Sequence, residues 1–417
     1  MSPISITVSD IGNAHHSNPW TKLGLTKNPF PPSGVAEDVD YEAHQPEVER
    51  KINQWLSRSL DKNAAQWAPL AISGSIGVGK THVLRRIERA CIEFRNSSGL
   101  GHRVMVSSHT LTNAGMKNLQ LGSLLRESLG QSVPDIGSRP SSSALPFVDV
   151  CVDQLFVTKQ IENIDSILPS PSPLLAPLKR IAAEKTGFGR ATATSLLAAW
   201  IGQRNLTSVQ MERIGVQGKL ETEGQLIRVF AHLCLLAQKA FDLRAWVLML
   251  DQLEDLWRRD LTSPLRRTRF LTDLRTLIDE GMEGAPIAIV LAWNTEVALT
   301  TGRAQESVES RLRHDYLALF SRVQDVVKIP PLPQTHALPF ALAYVEVEQR
   351  RFEIESKLSH ATIAQMQEKF TRALRESADS ILAEVANHGE TPDRALIARG
   401  WLDALRAWAD RYITTST

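Results

Sequence analysis

The sequence predicts an α/β fold: a parallel five-stranded sheet flanked by helices, with a helical insertion and a C-terminal all-helical lid. Three observations predict it. Five short apolar runs, three of them nearly uninterrupted, read as strands buried on both faces. A glycine-rich stretch, Gly74-Ser-Ile-Gly-Val-Gly-Lys-Thr81, joins the first run to a segment of helical periodicity. Residues 111 to 240 and 334 to 417 carry helical patterning in place of further strands.

Composition bounds the answer. A chain of 417 residues suggests two or three structural units. With 43% hydrophobic and 22% charged residues it reads as an ordinary globular protein. A net charge of +1 means that any basic surface is local. Cys91, Cys151 and Cys234 stand far apart in apolar contexts, with no C-x-x-C pair, so neither a zinc site nor a disulfide framework is expected. No apolar run reaches transmembrane length and no basic-then-apolar leader opens the chain, so a cytoplasmic location is expected.

Residues 1–46 form an irregular arm, broken by Pro19, Pro29, Pro31 and Pro32. It is expected to pack Leu25 and Phe30 onto the domain that comes next. Whether it covers a ligand or only tethers the surface is open. A helix from Pro46 to Ser59 comes after it, with Val48, Ile52 and Trp55 on one face. Residues 47–110 are expected to form the first part of the core. Their first strand, Pro69 to Ser73, runs into the glycine-rich stretch, which matches G-x-x-x-x-G-K-T. Gly74, Gly77 and Gly79 let the backbone curl so that its N–H groups, with those of Ser75 and Val78, face phosphate oxygens. The emerging helix carries Val83, Leu84, Ile87, Cys91 and Phe94 on one face and puts its positive end at the same place. Lys80 would reach β and γ phosphates, and the Thr81 hydroxyl would ligate Mg²⁺. ATP with Mg²⁺ is the expected cofactor.

His102 to Ser107 reads as the second strand. Residues 111–240 then separate it from the third, far more than a crossover needs, and read as a mostly helical insertion. Ala191 to Ile201 and Gly224 to Phe241 are amphipathic there; Leu226, Phe230, Leu233 and Ala237 line up. Ser132 to Pro146 and Leu168 to Pro177 read as loops.

Residues 241–332 are expected to complete the core. Trp246-Val-Leu-Met-Leu-Asp251 is a buried strand tipped by a carboxylate, where a second Mg²⁺-associated acid belongs. The next position would ordinarily carry a water-polarising carboxylate; here it is Gln252, so either Glu254 or Asp255 substitutes or hydrolysis is slow. Arg258, Arg259, Arg266, Arg267 and Arg269 come next, either a solvated helix start or a basic loop for duplex DNA phosphates. Pro286 to Trp293 is another central strand, ending at Asn294, which either orients water or caps a helix from Glu296. Asp325 to Ile329 is the fifth strand. Residues 333–417 read as a helical lid whose last helix opens at Thr391-Pro-Asp-Arg394.

This order of parts resembles the AAA+ ATPases, in the branch of origin-recognition initiators and transposition-regulator ATPases. The arm Gly24-Leu-Thr-Lys-Asn-Pro-Phe30 is similar to the leading segment of the latter. Ala199-Trp-Ile-Gly-Gln, Arg213-Ile-Gly-Val and Leu250-Asp-Gln-Leu-Glu-Asp are more loosely similar to ATP-binding proteins of BREX-type phage-defence loci. The resemblance covers nearly the whole chain except 111–240. It implies that Gly74, Gly79, Lys80 and Thr81 form Walker A and Asp251 the Walker B acid. It implies that Asn294 is sensor 1, Arg394 sensor 2 and Arg322 an arginine finger offered to a neighbouring subunit, with Arg311 and Arg313 in reserve. An ATP-dependent ring or spiral on duplex DNA, recruiting an effector in phage defence or DNA mobilisation, is what the resemblance implies. The Gln252 departure implies slow turnover. Only about 23 residues come after Arg394, too few for the winged helix of the initiators. The alternative that stays open is a STAND-type nucleotide switch without DNA.

Overall fold

All-parallel sheets are covered on both faces, so their strands need continuous apolar sequence. The computed structural model obeys that rule in its central strands. It describes residues 18–32, 39, 45–61, 68–97, 103–111, 119–133, 145–257, 263–295, 308–323, 325–356, 358–388 and 398–416. Among these, five strands form one sheet: β1 (Leu70–Gly74), β2 (Arg103–Thr110), β3 (Leu243–Asp251), β4 (Ile287–Asn294) and β5 (Asp325–Lys328). Their order is β2-β3-β4-β1-β5 and every pairing is parallel. The expected α/β class, a five-stranded parallel sheet flanked by helices, is therefore present. No helix among the described residues is long and apolar enough to cross a membrane.

The chain divides into two units. One holds residues 50–74 and 83–328; the other holds 1–49, 75–82 and 329–417.

In the first unit the helices between β2 and β3 share one hydrophobic core with the sheet. The helix Glu223–Phe241 starts from a capping box: Thr222 accepts from Gln225 N–H and the Gln225 side chain reaches back. Its Leu226, Phe230, Leu233 and Ala237 are all fully buried, as their spacing requires. Trp246 on β3 is the centre of this packing. Its ring lies 4.6 Å from that of Phe147 on the helix Pro146–Val157 and 4.8 Å from that of Phe230. Its indole N–H donates to Ser107 on β2 at 2.9 Å. Several boundaries differ from the sequence reading, two of them for a clear physical reason. β2 runs on to Thr110, because His109 is buried against Ser128 (3.0 Å) instead of ending the strand in solvent. The expected loop to Pro177 already turns helical at Leu175, where Leu178 and Ile181 pack inward.

In the second unit the N-terminal segment from Asn18 packs onto the C-terminal helices Ala337–Glu355, His360–His388 and Ala398–Ser416. This corrects the expectation that Leu25 and Phe30 pack on the domain next in sequence. Both are fully buried, in a cluster with Phe340, Phe370, Trp401 and Trp408. The reason is chemical as well as apolar. The Asn28 amide donates to the Arg406 carbonyl (3.3 Å) and to Asp410 Oδ1 (2.8 Å), and Arg406 donates to the Phe30 carbonyl at 3.0 Å. Thr26 donates to Glu348, which is buried on the helix Ala337–Glu355. Gly24 adopts φ +67°, and a Cβ there would stand 2.8 Å from Gln367 Cγ, so the turn requires glycine.

Candidate functional site

The glycine-rich stretch Gly74 to Thr81 runs from the end of β1 into the helix Lys80–Ser97. Gly77 (φ +82°) and Gly79 (φ +105°) take backbone conformations that side chains disfavour, which is why the motif has glycines there. Lys80 is 8% exposed, and its ammonium donates to the Ser75 carbonyl at 2.8 Å, so the lysine lies along its own loop. Val78 is buried and anchors the loop. The helix begins at Lys80, so its positive end lies at this loop. This donor set, one buried ammonium with a helix N-terminus and left-handed glycines, fits a polyphosphate. The Arg399 N–H, in the first turn of Ala398–Ser416, donates to the Gly77 carbonyl at 3.2 Å. Nothing in the sequence marks Arg399 for that contact.

The sheet-bearing unit carries the second group of candidates. β4 lies beside β1, with Asn294 in register with Gly74, and the Thr295 N–H donates to the Gly74 carbonyl at 3.1 Å. β3 is the next strand along, so Asp251 is not on the strand adjacent to β1. Asp251 is 5% exposed and its Oδ1 accepts the Gln252 N–H at 2.8 Å. Gln252 stands at φ +62°, a left-handed conformation that reverses the chain out of β3. A 3-10 turn, Leu253–Trp257, comes next; buried Leu253 and Leu256 pin it to the core. Glu254 is thereby returned to the strand tips. It is 4% exposed and accepts two hydrogen bonds from Asn294: from the backbone N–H at 3.0 Å and from the side-chain amide. The two residues stand 40 positions apart in sequence and meet only because β3 and β4 are neighbours.

Arg322 forms a two-pronged ion pair with Asp279 of its own chain, Nη2 reaching Oδ2 at 3.1 Å, and also donates to the Ala318 carbonyl. Arg313 pairs with Glu309 at 2.9 Å and lies over the Phe320 ring, 4.5 Å from its centroid. Arg266 and Arg269 are exposed on the first turns of the helix Pro264–Met282, which Ser263 caps. Arg267 lies 5.8 Å from the centroid of the Trp257 ring. Beneath them, burial and the neighbouring Glu223 push the Asp273 carboxyl up to about 6, against the opposing pull of Arg269. Arg258, Arg259 and Arg394 lie outside the described residues. Among the described residues no group of three or more His, Cys, Asp or Glu side chains could hold a metal ion. Nucleotide-bound Mg²⁺ needs no such cage, since it keeps waters and phosphate oxygens and takes one or two protein ligands.

No family model matches the chain, and no curated protein matches it. Among solved structures, the chain is similar to the Aeropyrum pernix ORC2 protein in ADPNP and ADP complexes, with 13% identity over 89% of this chain and 69% of that one, and a TM-score of 0.38. It is also similar to the Aeropyrum pernix ORC1 protein in complex with DNA, with 12% identity over 90% of this chain and 73% of that one, and a TM-score of 0.32.

Proposed function

We propose that this chain is an AAA+ ATPase that binds ATP and Mg²⁺ between subunits. In the ATP state it assembles into a ring or spiral on duplex DNA, which recruits or regulates an effector of phage defence or DNA mobilisation. The observation that supports the reading best is the eight-residue phosphate motif standing where the chemistry needs it, after a buried parallel strand and at the start of a helix. In this reading Lys80 neutralises the β and γ phosphates, while Thr81 and Asp251 hold Mg²⁺. Arg394 comes from the helical lid and Arg322 from the neighbouring subunit, where it stabilises charge on the transferring phosphoryl group. Gln252, in place of a carboxylate, makes turnover slow. Arg266, Arg267 and Arg269, with Arg258 and Arg259, supply the phosphate contacts to DNA.

The test is steady-state ATP turnover across a protein titration, with and without duplex DNA. The expected result is a rate per subunit that rises with concentration and again with DNA, and that Arg322→Ala lowers by about 10³-fold. A flat rate indifferent to DNA would overturn the assembly. One observation favours a second reading, a STAND-type switch acting as a monomer: Arg322 is already held within its own chain by Asp279. Nucleotide retained without turnover, and mass unchanged by ATP, would move the assignment there.

A further inference from the structure

We infer that Glu254 is a positioning residue, which fixes the Asn294 amide so that its carbonyl oxygen, and not its NH₂, is the end left for a water. The inference rests on the nucleotide-hydrolysis reading above. It starts from hydrogen-bond inventory. A carboxylate only accepts, so the end of the amide that meets Glu254 must be the NH₂. The Asn294 backbone N–H occupies the other carboxylate oxygen at 3.0 Å. Glu254 is thus a two-acceptor clamp on two donors of one residue. Among the described residues the Asn294 Oδ1 has no hydrogen-bond partner, and the residue is half-buried rather than sealed. Asn294 stands in register with Gly74, where the phosphate motif begins. An acceptor oxygen there takes a hydrogen bond from a water and leaves the water's lone pair to point elsewhere. A donor NH₂ would do the opposite. With Gln252 in place of a carboxylate, this oriented oxygen is a polarising group that the strand tips offer, and Glu254, already engaged on both oxygens, is its support and not the base.

A reciprocal swap tests this. In Glu254→Gln the new side chain has one acceptor for two donors. The backbone N–H takes it, so the Asn294 amide must flip and turn its NH₂ outward. In Asn294→Asp two carboxylates face each other. Each single variant is expected to lower kcat by about 10²-fold with little change in KM for ATP. The double variant Glu254→Gln/Asn294→Asp restores the pairing: the new amide gives its NH₂ to the new carboxylate, whose second oxygen again faces outward. Its kcat is expected to return to within about tenfold of the parent. A second double variant, Gln252→Glu/Glu254→Gln, supplies a carboxylate but leaves the amide flipped, and is expected to stay slow. If the swap is as slow as the singles while Gln252→Glu/Glu254→Gln recovers, Glu254 is itself the base and the inference is overturned. Unchanged turnover in Glu254→Gln overturns it too. Should the swap fail to fold, the Gln252 double variant alone decides by the same criterion. Parent protein that binds ATP but never turns it over refutes the hydrolysis reading instead, and the inference with it.

Discussion

Alanine at position 122 tests whether one carboxylate ties two helices of the insertion together. Gly122 is the second residue of the helix Leu121–Leu129, whose preceding residue, Gln120, makes no side-chain cap. The missing cap comes from a distance: Glu223, the first residue of Glu223–Phe241, accepts the Gly122 N–H at 2.7 Å. One buried carboxylate thus serves the N-termini of two helices. A Cβ at 122 would stand 1.9 Å from Glu223 Oε2 and 2.7 Å from Leu226 Cδ2. Both neighbours are buried, so neither can swing into solvent. Displacing the carboxylate costs about 1.5–3 kcal/mol for a charge-assisted hydrogen bond. Crowding Leu226 costs about 1–3 kcal/mol. Alanine's helix propensity returns about 1 kcal/mol. The net destabilisation is about 1.5–5 kcal/mol, which for a chain of 417 residues lowers Tm by roughly 2–6 °C. Thermal unfolding monitored by circular dichroism reads it directly. Glu223→Gln, which keeps one acceptor and removes the charge, should cost less than Gly122→Ala. A Gly122→Ala Tm within about 1 °C of the parent would refute the reasoning, because the clash is too close for any neighbour to absorb silently.

Two buried groups give opposite pH signatures. Asp273 titrates at about 6 in the fold against an ordinary 3.8, so between those values the folded state holds a proton the unfolded state lacks. Stability from this group therefore falls as pH rises through about 6, and Asp273→Asn should raise Tm at pH 8 with a gain that shrinks toward pH 4; a gain that grows on acidification would contradict it. His232 runs the other way. Burial, helped by Arg228, pushes its imidazole down to about 4 while it shares a 2.8 Å hydrogen bond with Ser172, so the unfolded state binds the extra proton between 6.5 and 4 and stability falls as pH drops through that window. His232→Gln should flatten this acid limb in a Tm-against-pH series, and an unaltered limb would count against it.

Local chemistry was legible in the sequence, and chemistry assembled across the sheet was not. The glycine-rich stretch completes itself within eight residues, so its place between β1 and the helix Lys80–Ser97 could be read from spacing alone. β1, β3 and β4 were legible because burial on both faces leaves no room for polar residues. β2 was read short, since Ser108 and His109 look like a strand end until Ser128 supplies the partner that lets His109 be buried. The burial of Leu25 and Phe30 could be foreseen, but not their partners. The sequence favours the nearest domain, whereas the helices carrying Phe370, Trp401 and Trp408 needed an apolar cover and offered Asp410 and Arg406 to hold it.

The pairing of Glu254 with Asn294 shows where sequence reasoning stops, and why. Two facts must both be known: that β3 and β4 are neighbours, and that the chain reverses at Gln252. The first is topology, which five interchangeable apolar runs do not encode. The second is a left-handed residue without a turn signature, since glutamine has neither the freedom of glycine nor the local hydrogen bonding of asparagine. The surrounding structure holds Gln252 there: its N–H is fixed by Asp251 Oδ1, and Leu253 and Leu256 bury the turn directly after it. Strain that persists because neighbours over-determine it is a feature of functional sites. The departure at 252 and the clamp at 254 are therefore one arrangement: a residue that cannot act as a base is also the one that turns the chain so that the next carboxylate reaches Asn294.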